Sequence, residues 1–199
     1  MASVTVLMSV YNGMPYLPEA VDSILNQTYQ DWQFVIVNDG SQDESRDYRA
    51  SLTDQRIRIV DQENQGLAAS LNHGLKFCET PYVARMDSDD IALPKRLELQ
   101  MKFLAENSEI GMLGGQFLRM GQKSSGFASK LPTNHPLIHS SLLQGKHAVC
   151  HPTIVCKTEI MKSVGGYWKH PVAQDWDLYL KMCENTIVAN LESVVLKYR

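Results

Sequence analysis

The sequence predicts an α/β fold: a mostly parallel, Rossmann-like sheet flanked by helices, with a smaller subregion in the second half. Three observations predict it. Short apolar, β-rich runs alternate with helical patterns through the first 110 residues; most of those runs are continuously apolar; and the rhythm changes after Gly111. Continuous apolar strands alternating with helices indicate a parallel sheet covered on both faces.

"VTVLMSV" (4–10) reads as a buried strand, and "PYLPEAVDSILNQ" (15–27) as a helix with Ala20, Val21, Ile24 and Leu25 on one face. "WQFVIVND" (32–39) is a second strand, stopped by Gly40 and Ser41. "RIRIVDQ" (56–62) alternates strictly as a third, "GLAASLNHGLKFC" (66–78) is a helix, and "PYVARMD" (81–87) is a fourth strand. "LPKRLELQMKFLAEN" (93–107) is a helix with Pro94 in its first turn. Beyond it, a strand is expected in 110–121, a loop over 121–136, a short helix over 137–145, a strand over 151–157 and a helix over 158–166. The reading closes with a helix over 174–185 and one or two strands over 186–199.

At 199 residues the chain is expected to form one domain, 1–110 binding one substrate and 111–199 another. The net charge of -3 conceals an asymmetry: 8 Lys/Arg against 15 Asp/Glu in residues 1–100, and 11 against 7 in 101–199. From Arg119 to His170 there are seven basic residues, one acid (Glu159) and five of the six histidines. A solvated surface or an anionic partner accounts for such a bias. Nothing in the composition calls for nucleic acid. Four cysteines without a CxxC pair read as reduced thiols of a cytoplasmic protein. His147, Cys150, His151 and Cys156 fit no standard zinc spacing. With no basic segment before "VTVLMSV" and no run long enough to span a bilayer, the expectation is a soluble protein that at most rests on the inner face of a membrane.

In an open parallel sheet, ligands bind beyond the carboxyl ends of the strands. Three polar clusters fall there: "SVYNG" (9–13), "NDGS" (38–41) and "MDSDD" (86–90). An ionised Asp39 only accepts hydrogen bonds, so it suits the imide N–H of uracil or N1–H of guanine; an Asx-turn at "NDGS" is the competing reading. In "DSDD", three acids crowd four positions, and two unit charges about 4 Å apart interact by roughly 4 kcal/mol at an effective dielectric near 20. The i, i+2 spacing sets Asp87 and Asp89 on one side of an extended chain, roughly 6–7 Å apart at Cα. That arrangement grips a cation from one direction, leaving its other positions to water and phosphate, as Mg²⁺ prefers. Helix capping by Asp89 or Asp90 is the alternative, but one acid suffices for a cap. A calcium loop is excluded by Ile91, Ala92 and Pro94 at positions that need a ligand, a glycine and free backbone. In "AQDWDLYLKM", Asp175 and Asp177 read either as first-turn dipole partners or as a base for an incoming hydroxyl.

Together "MSVYNG" (8–13), "FVIVNDGSQDES" (34–45), "NQGLAASLNHGL" (64–75), "YVARMDSDDIALPKRLELQ" (82–100), "HPTIVCK" (151–157) and "QDWDLYLKM" (174–182) resemble family 2 glycosyltransferases of the GT-A fold, across nearly the whole chain. The resemblance implies that Asp39 reads the base, with Ser9, Tyr11 and Asn12 around the nucleoside. Asp87 and Asp89 match the family's DxD metal motif, Asp89 as direct ligand of Mg²⁺ or Mn²⁺ and Asp87 nearer the ribose. Gly66, Asn72, Arg85, Ser88, His151 and Trp176, on the matched segments, complete the implied substrate-binding set. Asp175 matches the second residue of the family's "ED" pair, the catalytic base; Gln174 stands where the family has the acid. The implied reaction moves a sugar, with inversion, from a nucleotide-diphospho-sugar (a UDP-sugar first) to a saccharide or lipid-linked saccharide acceptor, in polysaccharide or cell-surface glycan synthesis. Family members commonly extend past the "YR" at which this sequence stops, so a further C-terminal segment is expected. Two rivals stay open. A nucleotidyltransferase needs a Gly-rich, basic loop after the first strand, where "YNGMPYLPEA" has no Lys or Arg; a non-catalytic binding module needs Asp175 only as a cap.

Overall fold

The computed structural model describes residues 2–121, 126–168 and 173–199. The parts of the 121–136 loop and of the basic stretch at 122–125 and 169–172 lie outside the described residues. Four strands of the first half form the parallel region: β1 (Val4–Val10) pairs with β2 (Trp32–Asp39) and with β4 (Tyr82–Met86), and β2 pairs with β3 (Ile57–Gln62). The crossovers carry α1 (Leu17–Leu25), α2 (Ser45–Ala50) and α3 (Leu67–Leu75). All seven residues of β1 are buried, the signature of a strand covered on both faces. Val4, Val6 and Met8 pack with Leu17, Val21 and Ile24 of α1, while Leu7 joins Val35, Val37 and Leu71 in the opposite layer.

The second half departs from an all-parallel sheet. The full order is β3-β2-β1-β4-β7-β6-β8-β5, where β5 is Ile91–Ala92, β6 Ile110–Arg119, β7 Val155–Lys157 and β8 Ile187–Tyr198. β7 runs antiparallel to both β4 and β6, and β5 antiparallel to β8, while β6 and β8 are parallel. Helices α4 (Arg96–Glu106), α5 (His135–Leu143), α6 (Thr158–Ser163) and α7 (Gln174–Asn185) pack around it.

Several expectations shift. The strand expected over 151–157 shortens to β7, because His151–Thr153 forms a 3₁₀ turn in which the Thr153 hydroxyl donates to Cys150 O at 2.7 Å. Pro152 has no N–H to give a ladder there. Helix α2 and the short β5 are additions, and the last segment is one strand with register shifts rather than two.

Gly74 marks where α3 presses on the sheet. A Cβ there would lie 2.4 Å from Leu7 Cδ1 and 2.7 Å from Val37 Cγ2. Gly74→Ala is expected to lose about 1–2 kcal/mol of stability, overpacking exceeding the helix-propensity gain; urea denaturation measures it, and an unchanged midpoint would show that the α3–sheet contact yields freely.

Candidate active site

In-register pairing brings the polar clusters to one edge. Val10 lies opposite Asn38, Asp39 opposite Gln62, and Met8 opposite Met86, so the loops after β1, β2 and β4 emerge together. The first two are tied to each other. Asn12, at φ 51°, accepts from the Gln42 amide (2.8 Å) through Oδ1, and its own N–H donates to Ser41 Oγ (3.1 Å). The Gly13 amide donates to Ser45 Oγ at 2.9 Å. Ser9 is buried and donates to Ser70 Oγ on α3 (2.7 Å), while Tyr11 stands 49% exposed above the edge.

The turn at "NDGS" is held by Asn38, whose Oδ1 accepts from the Ser41 amide three residues on at 3.1 Å, and not by an Asx-turn of Asp39. Asp39 instead is buried against the end of β3 and the loop into α3, and accepts from Gln62 Nε2 (2.6 Å), the Gln65 amide (2.9 Å) and the Gly66 amide (2.9 Å). Gly66, at φ 84°, thereby opens α3 against the Asp39 carboxylate. Asn72 lies further along α3 and uses both ends of its amide on Tyr167, donating to its carbonyl (2.7 Å) and accepting from its N–H (2.9 Å).

At the end of β4, Arg85 is buried and its Nη2 meets Asp87 Oδ1 at 2.5 Å. Ser88 is half-buried and Asp89 exposed; Asp89 forms no ion pair among the described residues. Asp90 is buried and accepts from the Arg199 amide at 2.8 Å. The helix-capping reading of these acids fails, since α4 starts after Lys95 with no side-chain cap. Burial and then Asp87 push the Asp89 carboxyl up, and burial carries Asp90 up to about 7 against its bond from Arg199. A carboxyl raised in the folded state stabilises the fold below its ordinary pKa near 3.8 and loses that contribution as pH rises through about 7. Metal-free protein is therefore expected to lose Tm between pH 4 and 7, a slope that Asp90→Asn reduces; thermal melts across that range check it, and an identical slope in the variant contradicts it.

Across the cleft, Ala173 at φ 62° turns the chain into α7, whose first turn carries both acids. Asp177 pairs with Lys181 at 2.6 Å, whereas Asp175 accepts from the Trp176 amide at 2.9 Å. The Trp176 ring sits 5.7 Å from that of His147. A cavity of about 560 Å³ has Asp175, Asp87, Arg85, His147, His151 and Tyr198 in its lining. His151 is hydrogen-bonded through Nε2 to the Tyr167 hydroxyl (2.9 Å), and burial with Arg85 nearby holds its pKa well below the ordinary value, so it is neutral. Tyr167 and Gln62 were not among the expected site residues. A Tyr beyond a Gly pair and a Gln at a strand end carry no local signature.

Among the described residues no three His, Cys, Asp or Glu side chains converge as a metal cage. The donor set suits a hard cation bound by one or two carboxylates and completed by phosphate oxygens; exposed Asp89 would be the carboxylate free to bind it, and Asp87 would be shared with Arg85.

Comparisons with known proteins agree with this fold. The family model for glycosyl transferase family 2 matches residues 5–165. The O-antigen biosynthesis glycosyltransferase WbnJ of Escherichia coli is 33% identical over 203 residues, covering 98% of this chain and 79% of that protein. The amylovoran biosynthesis glycosyltransferase AmsE of Erwinia amylovora is 31% identical over 201 residues, covering 98% and 75%. Among solved structures, S. aureus TarS 1-349 in complex with UDP-GlcNAc superposes with a TM-score of 0.80 at 19% identity, over 100% of this chain and 58% of that one. The mannosyltransferase PcManGT from Pyrobaculum calidifontis, in complex with GDP-Man and Mn²⁺, gives 0.75 at 20% identity, over 98% and 56%. This chain thus spans under two thirds of those solved chains, and the likeness fixes the fold as GT-A. With an α/β sheet edge of that shape and a family match over most of its length, the chain belongs to glycosyl transferase family 2.

Proposed function

We propose that the chain transfers a sugar from a nucleotide-diphospho-sugar, a UDP-sugar first, to an acceptor hydroxyl with inversion. The observation that carries the proposal is the single cavity lined by Asp87 of the β4 loop and Asp175 of α7. A base and a leaving-group site facing one space are what direct displacement at an anomeric carbon needs. In this reading Tyr11 and Asp39 hold the nucleoside, with Ser9, Asn12, Gly66 and Asn72 shaping the walls around it. Asp89 and Asp87 hold Mg²⁺ or Mn²⁺ at the diphosphate, with Ser88 between them. That cation supplies neutralisation of charge developing on the leaving diphosphate. Asp175 takes the proton from the acceptor hydroxyl, and Trp176 and His147 wall the acceptor side. Neutral His151 and buried Arg85 fix the floor. Arg85 also holds Asp87 in place at the cavity wall.

WbnJ and AmsE are named for O-antigen and amylovoran biosynthesis, which supports a saccharide or lipid-linked saccharide acceptor in envelope or extracellular polysaccharide assembly. No helix among the described residues is long and apolar enough to cross a membrane; the proposal keeps the domain cytoplasmic, touching a membrane surface through its acceptor. Release of nucleoside diphosphate from a panel of UDP- and GDP-sugars with Mn²⁺ tests it. Turnover of a UDP-sugar is expected; normal nucleotide binding with no turnover of any donor would leave the binding-module alternative.

A further inference from the structure

The Asp39 carboxylate is 1% exposed and already accepts three N–H groups of its own chain. Gln62 Nε2 (2.6 Å) and the Gln65 amide (2.9 Å) fill Oδ1, and the Gly66 amide (2.9 Å) takes one position on Oδ2. An ionised carboxylate offers about four acceptor positions. One remains, on Oδ2. The Gln62 amide is also fixed in orientation. Because a carboxylate only accepts, Nε2 must face Asp39 and Oε1 must face away. Oε1 lies 2.5 Å from His73 Nδ1, so Nδ1 carries the hydrogen that holds it. His73 is itself packed against Phe77, ring centroids 5.4 Å apart.

We propose that Gln62, locked by His73, sets which nucleobase the site accepts by leaving Asp39 room for a single donor. The inference rests on the proposed role of Asp39 as base reader. Uracil presents one imide N–H and fits the remaining position. Guanine presents N1–H and its exocyclic amine side by side and needs both oxygens of the carboxylate. To bind it, half-buried Gln62 must leave Oδ1, giving up its bond to the carboxylate and its bond to His73 together. Gln62 and His73 are therefore specificity-determining and positioning residues, respectively.

Calorimetric titration of UDP and of GDP in Mn²⁺ into the wild-type chain, Gln62→Met, His73→Leu and Asp39→Asn tests this. The wild type is expected to bind UDP at least about tenfold more tightly than GDP. Gln62→Met and His73→Leu should each shrink that ratio by about tenfold, chiefly by tightening GDP. His73→Leu leaves Gln62 in place and carries the test should Gln62→Met not fold. A wild type that prefers GDP, or an unchanged ratio in folded variants, overturns the proposal. Asp39→Asn separates the two levels. If it abolishes discrimination while the Gln62 and His73 variants keep it, the gate fails and the base reader stands. If Asp39→Asn keeps the ratio, the base reader fails and the gate with it.

Discussion

Asp175→Asn is expected to lower kcat by about 10²- to 10⁴-fold, the usual worth of a positioned general base, while UDP affinity is unchanged. Asn keeps the shape and one carbonyl oxygen, which still accepts from the Trp176 amide at the head of α7. What it loses is the capacity to take a proton. The neighbouring Asp177 cannot substitute, because it is paired with Lys181 at 2.6 Å one turn along the helix. Gln174, whose amide takes up no proton, cannot substitute either. The measurement is steady-state sugar transfer together with nucleotide titration. Unchanged kcat removes Asp175 as base, and a parallel fall in UDP affinity would assign it to donor binding instead.

Asp89→Asn is expected to cost at least about 10²-fold in kcat/KM, since a Lewis acid at a leaving diphosphate supplies several kcal/mol and each 1.36 kcal/mol is tenfold. Asp89 is the member of the acidic loop with most to give. Asp90 is buried and engaged by the Arg199 amide, and Asp87 is already paired to Arg85 at 2.5 Å. Asp87→Asn is expected to be milder in metal affinity but to leave Arg85 buried without its counterion, with a loss of stability that Asp89→Asn does not share. UDP binding by the Asp89 variant should respond weakly to Mn²⁺, where the wild type gains affinity. Equal Mn²⁺ dependence in both proteins would move the cation elsewhere.

The first half of this fold was legible because burial on both faces writes unbroken apolar strands into the sequence, and α1 and α3 carry their packing faces in plain period. The second half was less so. β7 has only three residues, β5 two, and their antiparallel pairings depend on partners far along the chain. Helix α2, "SRDYRA", buries only Ser45 and has no apolar stripe to read. The candidate site was legible where a residue type is rare for its position, as with three carboxylates at a strand end. It was not legible where the chemistry depends on contact. Asn12 and Asn72 share the expected neighbourhood, but their amides hold the Gln42 loop and Tyr167. Gln62 and His73 reach Asp39 only through the fold, and no spacing rule relates them.

The most direct measurement is a crystal structure with UDP and Mn²⁺, using anomalous scattering to place the metal. The expected result is a manganese peak between the Asp89 carboxylate and the diphosphate, uracil against Asp39, and Asp175 across the cavity from the β-phosphate. Manganese bound away from Asp89, or a nucleotide seated outside the cleft between Asp39 and Asp87, would contradict it.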